Sequence, residues 1–134
     1  MQLGQYAIPE VALAFMNRDH QAFIEQVQLI EKLLADSANA ETIDLHLKEL
    51  HEHTRIHFAD EEKEMQAGGF PPYPVHQQEH RGVLQGMAAE IETWQTQRDV
   101  ARLTQYLQQT LPDWFAKHVQ MMDFVTARWL ASKA

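Results

Sequence analysis

The sequence predicts an all-α protein, an up-down-up-down four-helix bundle with a dinuclear metal site inside it. Three observations carry that expectation. Apolar residues recur at three- and four-residue steps through four long stretches, with no strand pattern, internal repeat or low-complexity tract between them. Short connections join the stretches, which favours antiparallel neighbours. The apolar stripes also carry metal-competent side chains: His20 on the first, His57 and Glu61 on the second, His76 and His80 on the third, His118 and Asp123 on the fourth.

The chain, 134 residues, is expected to be a single domain, 1–134. It is 45% hydrophobic and 22% charged, ordinary for a globular protein with a real core. It has no Cys, so disulfides, thiolate metal sites, iron–sulfur clusters and Cys nucleophiles are excluded, and any metal must be held by N and O ligands. The net charge of −8 argues against a nucleic-acid groove and against a polybasic membrane patch. The first residues show no basic region followed by an apolar run, and no stretch approaches the roughly 18 apolar residues of a membrane span. The expected location is cytoplasmic.

Residues 1–8 read as an extended arm. Pro9 suits the first turn of a helix, where its missing N–H costs nothing. Leu13, Met16, His20, Phe23, Val27, Ile30 and Leu34 then line one face of a helix over about 9–35. Asp36-Ser37-Ala38-Asn39 breaks it. The second helix is expected over 41–66, with His46, Leu50, His53, His57 and Glu61 on its inner face and Gly68-Gly69 at its end. Pro71, Pro72 and Pro74 stiffen the next connector. The third helix is expected over 75–95, striped by His76, His80, Val83, Met87, Ile91 and Trp94. Gly82 and Gly86 suggest a close helix approach. Asp99 is a candidate cap for the last helix, 99–131, whose face carries Leu103, Leu107, Leu111, Trp114, His118, Met122, Val125 and Trp129. Pro112 inside that pattern predicts a kink, or a break just before it.

Residues four apart stand one turn apart on the same face of a helix. His57 with Glu61, and His76 with His80, can therefore each reach toward one point. A stripe this polar cannot be an ordinary core, because buried polar groups must be paired or bound to metal. Imidazole and carboxylate without thiolate suit Fe, Zn, Mn or Cu. Seven ligands are too many for one ion and about right for two, and they divide into five terminal His and two carboxylates able to bridge. The last pair is offset by five residues, roughly 140° on an ideal helix. Either one ligand crosses to the neighbouring ion, or the helix is locally distorted.

The set His20, His57-x-x-x-Glu61, His76-x-x-x-His80 and His118-x-x-x-x-Asp123 resembles the hemerythrin family, the HHE cation-binding type, in order, spacing and helix assignment. The resemblance runs from about Pro9 to Trp129. It extends to Met16-Asn17-Arg18-Asp19-His20, His57-Phe58-Ala59-Asp60-Glu61-Glu62 and Trp114-Phe115-Ala116-Lys117-His118, which are similar to bacterial members. It implies a non-haem di-iron protein that binds O2 reversibly for storage, delivery or scavenging, rather than a catalyst. By the resemblance, His76, His80 and His118 hold one iron (Fe2+/Fe3+). His20 and His57 hold the other, which keeps an open position, and Glu61 and Asp123 bridge with an oxo or hydroxo group. Phe115 and Val119 flank His118 on its own face and, with Phe58 and Trp114, are candidate walls of an apolar O2 pocket.

Several readings stay open beside this one. His53, one turn before His57, is a hydrogen-bonding neighbour of the site, a third ligand to the open iron, or core. His46 shares its face without matching a ligand position. Asp19 either orients a ligand imidazole or lies on the exposed surface. His51, Glu62, Lys63 and Glu64 read as solvated. His76-x-x-Glu79-His80 also spells an inverted zinc-peptidase motif, which would leave the other five candidates unexplained. The alternative functions are a sensor of O2, redox state or nitric oxide acting through a partner, detoxification of peroxide or nitric oxide, and repair of iron–sulfur centres. The expected assembly is a monomer or small homo-oligomer.

Overall fold

The computed structural model describes residues 1–133. Four helices pack as a bundle: α1 Ala14–Ala35, α2 Ala40–Gly68, α3 Tyr73–Gln97, and α4 over 100–132. α4 is continuous but not uniform. Val100–Gln105, Leu111–His118 and Phe124–Ser132 are α-helical, and the turns Tyr106–Thr110 and Val119–Asp123 between them are π-helical.

The N-terminal arm differs from the expected extended segment. β1 (Gln2–Leu3) and β2 (Tyr6–Ala7) form a minimal antiparallel hairpin, with Leu3 opposite Tyr6. Gly4, at φ +57°, makes the two-residue turn possible. The hairpin buries Leu3 and Ile8 in the core. It is also why α1 starts at Ala14 and not near Pro9. The Asn17 side chain bonds both Val11 N–H (2.8 Å) and Val11 C=O (2.9 Å), holding the preceding chain extended.

The remaining boundaries have local causes. Asn39 caps α2 by accepting from Thr42 N–H at 2.8 Å. Gly69, at φ +68°, ends it in the left-handed conformation that favours glycine. Asp99 caps α4 by accepting from Arg102 N–H at 3.1 Å. Pro112 does not break α4; the helix is instead distorted just before it, in the π turn Tyr106–Thr110. Its ring would strike the carbonyl four residues back, and the wide turn just before it, closed by Leu111 N–H to Tyr106 C=O, relieves that conflict.

Two expected faces are corrected. The buried stripe of α2 is Ile43, Leu47, Leu50, Thr54, Phe58, Glu61 and Met65, so His46 and His53 lie off it. Gly82 and Gly86 face open space; the close approach is at Gly68, where a Cβ would lie 2.9 Å from the Leu130 side chain. The antiparallel order sorts the interior by height. The second half of α1, the first half of α2, the second half of α3 and the first half of α4 supply Ile24 to Leu34, Ile43 to Leu50, Met87, Trp94 and Leu103 to Leu111, an apolar core. The complementary halves bring His20, Glu61, His76, His80, His118 and Asp123 to the other end, all buried.

Candidate metal centre

Glu61 from α2, His76 and His80 from α3, and His118 and Asp123 from α4 converge so that one ligand atom from each lies within 4.8 Å of the others. Asp123 stands at the middle. Its Oδ1 is 3.1 Å from His76 Nε2 and 3.0 Å from His118 Nε2, while its Oδ2 is 2.8 Å from His20 Nε2 on α1. Glu61 Oε1 faces His80 Nε2 at 3.2 Å and His76 Nε2 at 4.0 Å. The π turn Val119–Asp123 puts His118 and Asp123 on one face. Its i to i+5 hydrogen bond, Phe124 N–H to Val119 C=O, takes up the extra residue between them. Local distortion is therefore the answer to the five-residue spacing.

The outer nitrogens of three imidazoles are occupied. His76 Nδ1 pairs with Thr126 Oγ1 at 2.9 Å, His80 Nδ1 donates to Glu62 Oε2 at 3.0 Å, and His118 Nδ1 donates to Glu79 Oε1 at 3.3 Å. A carboxylate can only accept, so Nδ1 of His80 and His118 carries the hydrogen. Each inner Nε2 is then a lone pair in the neutral ring, and it faces a carboxylate oxygen. Nε2 of His76, His80 and His118, Glu61 Oε1 and Asp123 Oδ1 are all buried without a hydrogen bond. Acceptors facing acceptors in a buried site cost free energy unless a cation or protons stand between them. The donor set fits a cation of the imidazole–carboxylate class.

Without a cation, protons take that place. Burial, then the Asp123 charge, pushes Glu61 up to about 8. Burial works against protonation of His118, but the carboxylates of Asp123, Glu79 and Glu61 outweigh it and push His118 up to about 10. The interaction of His118 Nε2 with Asp123 is one of charge, since the pair is not aligned as a hydrogen bond. Burial, then the neighbouring His76 and His118, pulls His80 down to about 3. Burial opposes ionisation of Asp123 too, yet the surrounding imidazoles, His118 first, hold it well below the usual carboxylate range.

The other expected residues are placed as follows. His57 lies outside the five-residue cluster, half-buried, with Nδ1 3.2 Å from Asp19 Oδ1 and Nε2 unpartnered. Burial lowers the His57 pKa and raises that of Asp19. His53 is exposed and bonds Gln26, and His46 Nδ1 bonds Thr42 C=O at 2.9 Å. Phe115 sets its ring edge-on to His20 (5.4 Å) and packs on Phe23 (4.5 Å), and Val119 is fully buried. Phe58 stacks face to face on His80 at 3.8 Å, and Trp114 on His118 at 4.7 Å. Two expectations of solvation fail: Glu62 is half-buried behind His80, and His51 is half-buried with Nε2 donating to Leu84 C=O at 3.3 Å. Glu62, Glu79 and Thr126 around the outer nitrogens were not legible as such. Glu62 and Glu79 sit at half-buried edges of their helices, where periodicity carries no signal, and Thr126, though buried, has no side chain that marks it as a partner of imidazole.

Among the described residues no helix is long and apolar enough to cross a membrane. Among curated proteins the chain is 34% identical to a bacteriohemerythrin of Ralstonia nicotianae over 90% of this chain and 82% of that protein. It is 25% identical to a bacteriohemerythrin of Aquifex aeolicus over 92% and 93% respectively. No solved structure matches it significantly. Residues 11–130 match the hemerythrin HHE cation binding domain. That span reaches from the arm before α1 to the last turns of α4, so it contains every residue of the buried cluster. The chain belongs to the hemerythrin HHE cation-binding family.

Proposed function

We propose that this chain is a di-iron protein that binds O2 reversibly, for storage, delivery or scavenging. The observation that carries the reading is Asp123, which turns one carboxylate oxygen to His76 and His118 and the other to His20, as a ligand shared by two ions would. On this reading His76, His80 and His118 hold one iron, His20 and His57 hold the other, and Glu61 and Asp123 bridge, with an oxo or hydroxo group completing the centre. Two ferrous ions held by these residues would supply the electrons that O2 takes up on binding and gives back on leaving.

The chain's own residues do the rest. Thr126, Glu62 and Glu79 hold three imidazoles with Nε2 facing inward. Phe115, packed on Phe23, keeps the His20 side apolar, which excludes the water that would favour leakage. His57 is the most exposed of the seven ligands, with its side chain 20% exposed, so the half with the open position is the less enclosed one.

The test is an optical spectrum of the iron-loaded, reduced protein before and after admitting air. A colourless sample that gains a visible band in air and loses it under vacuum supports the reading. One that oxidises irreversibly, or never colours, removes it.

A further inference from the structure

We infer that Glu62 and Glu79 are positioning residues that bias the His76–His80–His118 side of the centre toward the higher oxidation state. The inference rests on the di-iron reading above. Glu61 and Glu62 are consecutive on α2, and they face opposite ring nitrogens of His80: Glu61 Oε1 lies 3.2 Å from Nε2 without a hydrogen bond, and Glu62 Oε2 accepts from Nδ1 at 3.0 Å. Glu79 and His80 are consecutive on α3. His80 points inward, while Glu79 reaches across to His118 Nδ1 on α4 at 3.3 Å.

Both outer glutamates are themselves held. Gln77 Nε2 donates to Glu62 Oε1 at 3.0 Å, and Trp114 Nε1 donates to Glu79 Oε1 at 3.1 Å. Both are only partly exposed, so their charge is less screened than on an open surface.

The two halves of the site are unlike in this respect. His76 pairs with a neutral hydroxyl, His20 Nδ1 has no partner, and His57 Nδ1 lies near Asp19 without an aligned hydrogen bond. Both charge-assisted bonds therefore stand behind the same set of three imidazoles. An imidazole whose Nδ1–H is drawn toward a carboxylate is a stronger donor at Nε2. A stronger donor favours the more highly charged ion, so it favours ferric over ferrous iron on that side.

Glu62→Gln and Glu79→Gln keep the size and an acceptor oxygen and remove the charge. Each variant should show a reduction potential above that of the unsubstituted protein in an optical redox titration, with the double variant shifted further. Each should also surrender ferric iron to a chelator more readily, by about 10–100-fold. A second measurement needs no variant. In the zinc-loaded protein, the Nδ1–H proton of His80 should resonate downfield of that of His76, whose partner is neutral. If the unsubstituted protein takes up no iron, the site reading falls and this inference with it. If it takes up iron and the two potentials do not move, or the His80 proton is not shifted, only this inference falls.

Discussion

At the scale of single residues, the centre depends on side chains whose neighbours leave them one useful state. Phe115 is buried edge-on to His20. On the O2-binding reading, Phe115→Thr should therefore admit water to that side and speed autoxidation, followed by decay of the visible band. An unchanged decay would remove Phe115 from the pocket wall. The same substitution should cost about 3 kcal/mol of stability by leaving a cavity.

A second residue-scale case lies away from the centre. The Arg98 guanidinium donates to Asp44 at 2.6 and 2.9 Å, and Trp94 Nε1 donates at 2.9 Å. The hydrogen bonds from Arg98 hold the Asp44 carboxyl below its ordinary 3.8. A carboxyl lowered in the folded state stabilises above its unfolded value and stops doing so as pH falls through its folded one. Asp44→Asn should therefore be less stable than the parent at neutral pH, and the gap should close below pH 3.8. A gap independent of pH, measured by denaturant titration, would contradict this. The residues of the buried cluster, Glu61, His76, His80, His118 and Asp123, stood out from their spacing as candidate ligands, because metal chemistry restricts the choice to His and carboxylate. Glu62, Glu79 and Thr126 did not, because a hydrogen-bond partner one layer out can be any acceptor on any adjoining helix.

At the scale of elements, α4 carries the unexpected feature. A π turn is an α-helix with one residue added, and its flanks keep their faces. Deleting Met121, which is 73% exposed within Val119–Asp123, should let α4 straighten with Asp123 still on the face of His118. Iron binding and helicity should survive. Deleting exposed Lys117 from the α-helical segment before it should instead turn His118 by about 100° and abolish stoichiometric iron binding. Metal analysis with circular dichroism separates the two; equal losses would contradict the argument. α3 offers a simpler case. Gly82 and Gly86 sit mid-helix with nothing near a added Cβ, so each Gly→Ala should stabilise by about 1 kcal/mol, seen in the unfolding midpoint. Boundaries followed local chemistry where end signals were visible in the sequence, as at Gly69 and Asp99. The start of α1 did not, because Asn17 and the hairpin compete for the residues that Pro9 would otherwise lead into a helix.

At the scale of the whole molecule, the bundle is divided between an apolar end and a polar one. The apolar end holds the helices together. The polar end has acceptor atoms opposed to one another, which a cation, or protons in its place, must separate. Metal that binds only the folded state should stabilise it by about 2.7 kcal/mol at a hundredfold excess over Kd, roughly 10 °C in Tm for a chain of this size. A melting curve that chelation leaves unmoved would count against a metal at this end.

The sequence by itself determined the fold class and where the polar end would be. Apolar periodicity marks the helices and most of their buried residues, though not the whole face of α2, and short connections force the helices antiparallel, so residues in alternating halves must meet. Only the tertiary structure decided how the ligand side chains are completed. A widened turn brings Asp123 round to His118, a hairpin delays α1, and two glutamates from neighbouring helices close on His80 and His118. The physical reason is the range of each effect. Periodicity and capping act within one helix, whereas the outer hydrogen bonds are made between helices and exist only once the bundle has packed.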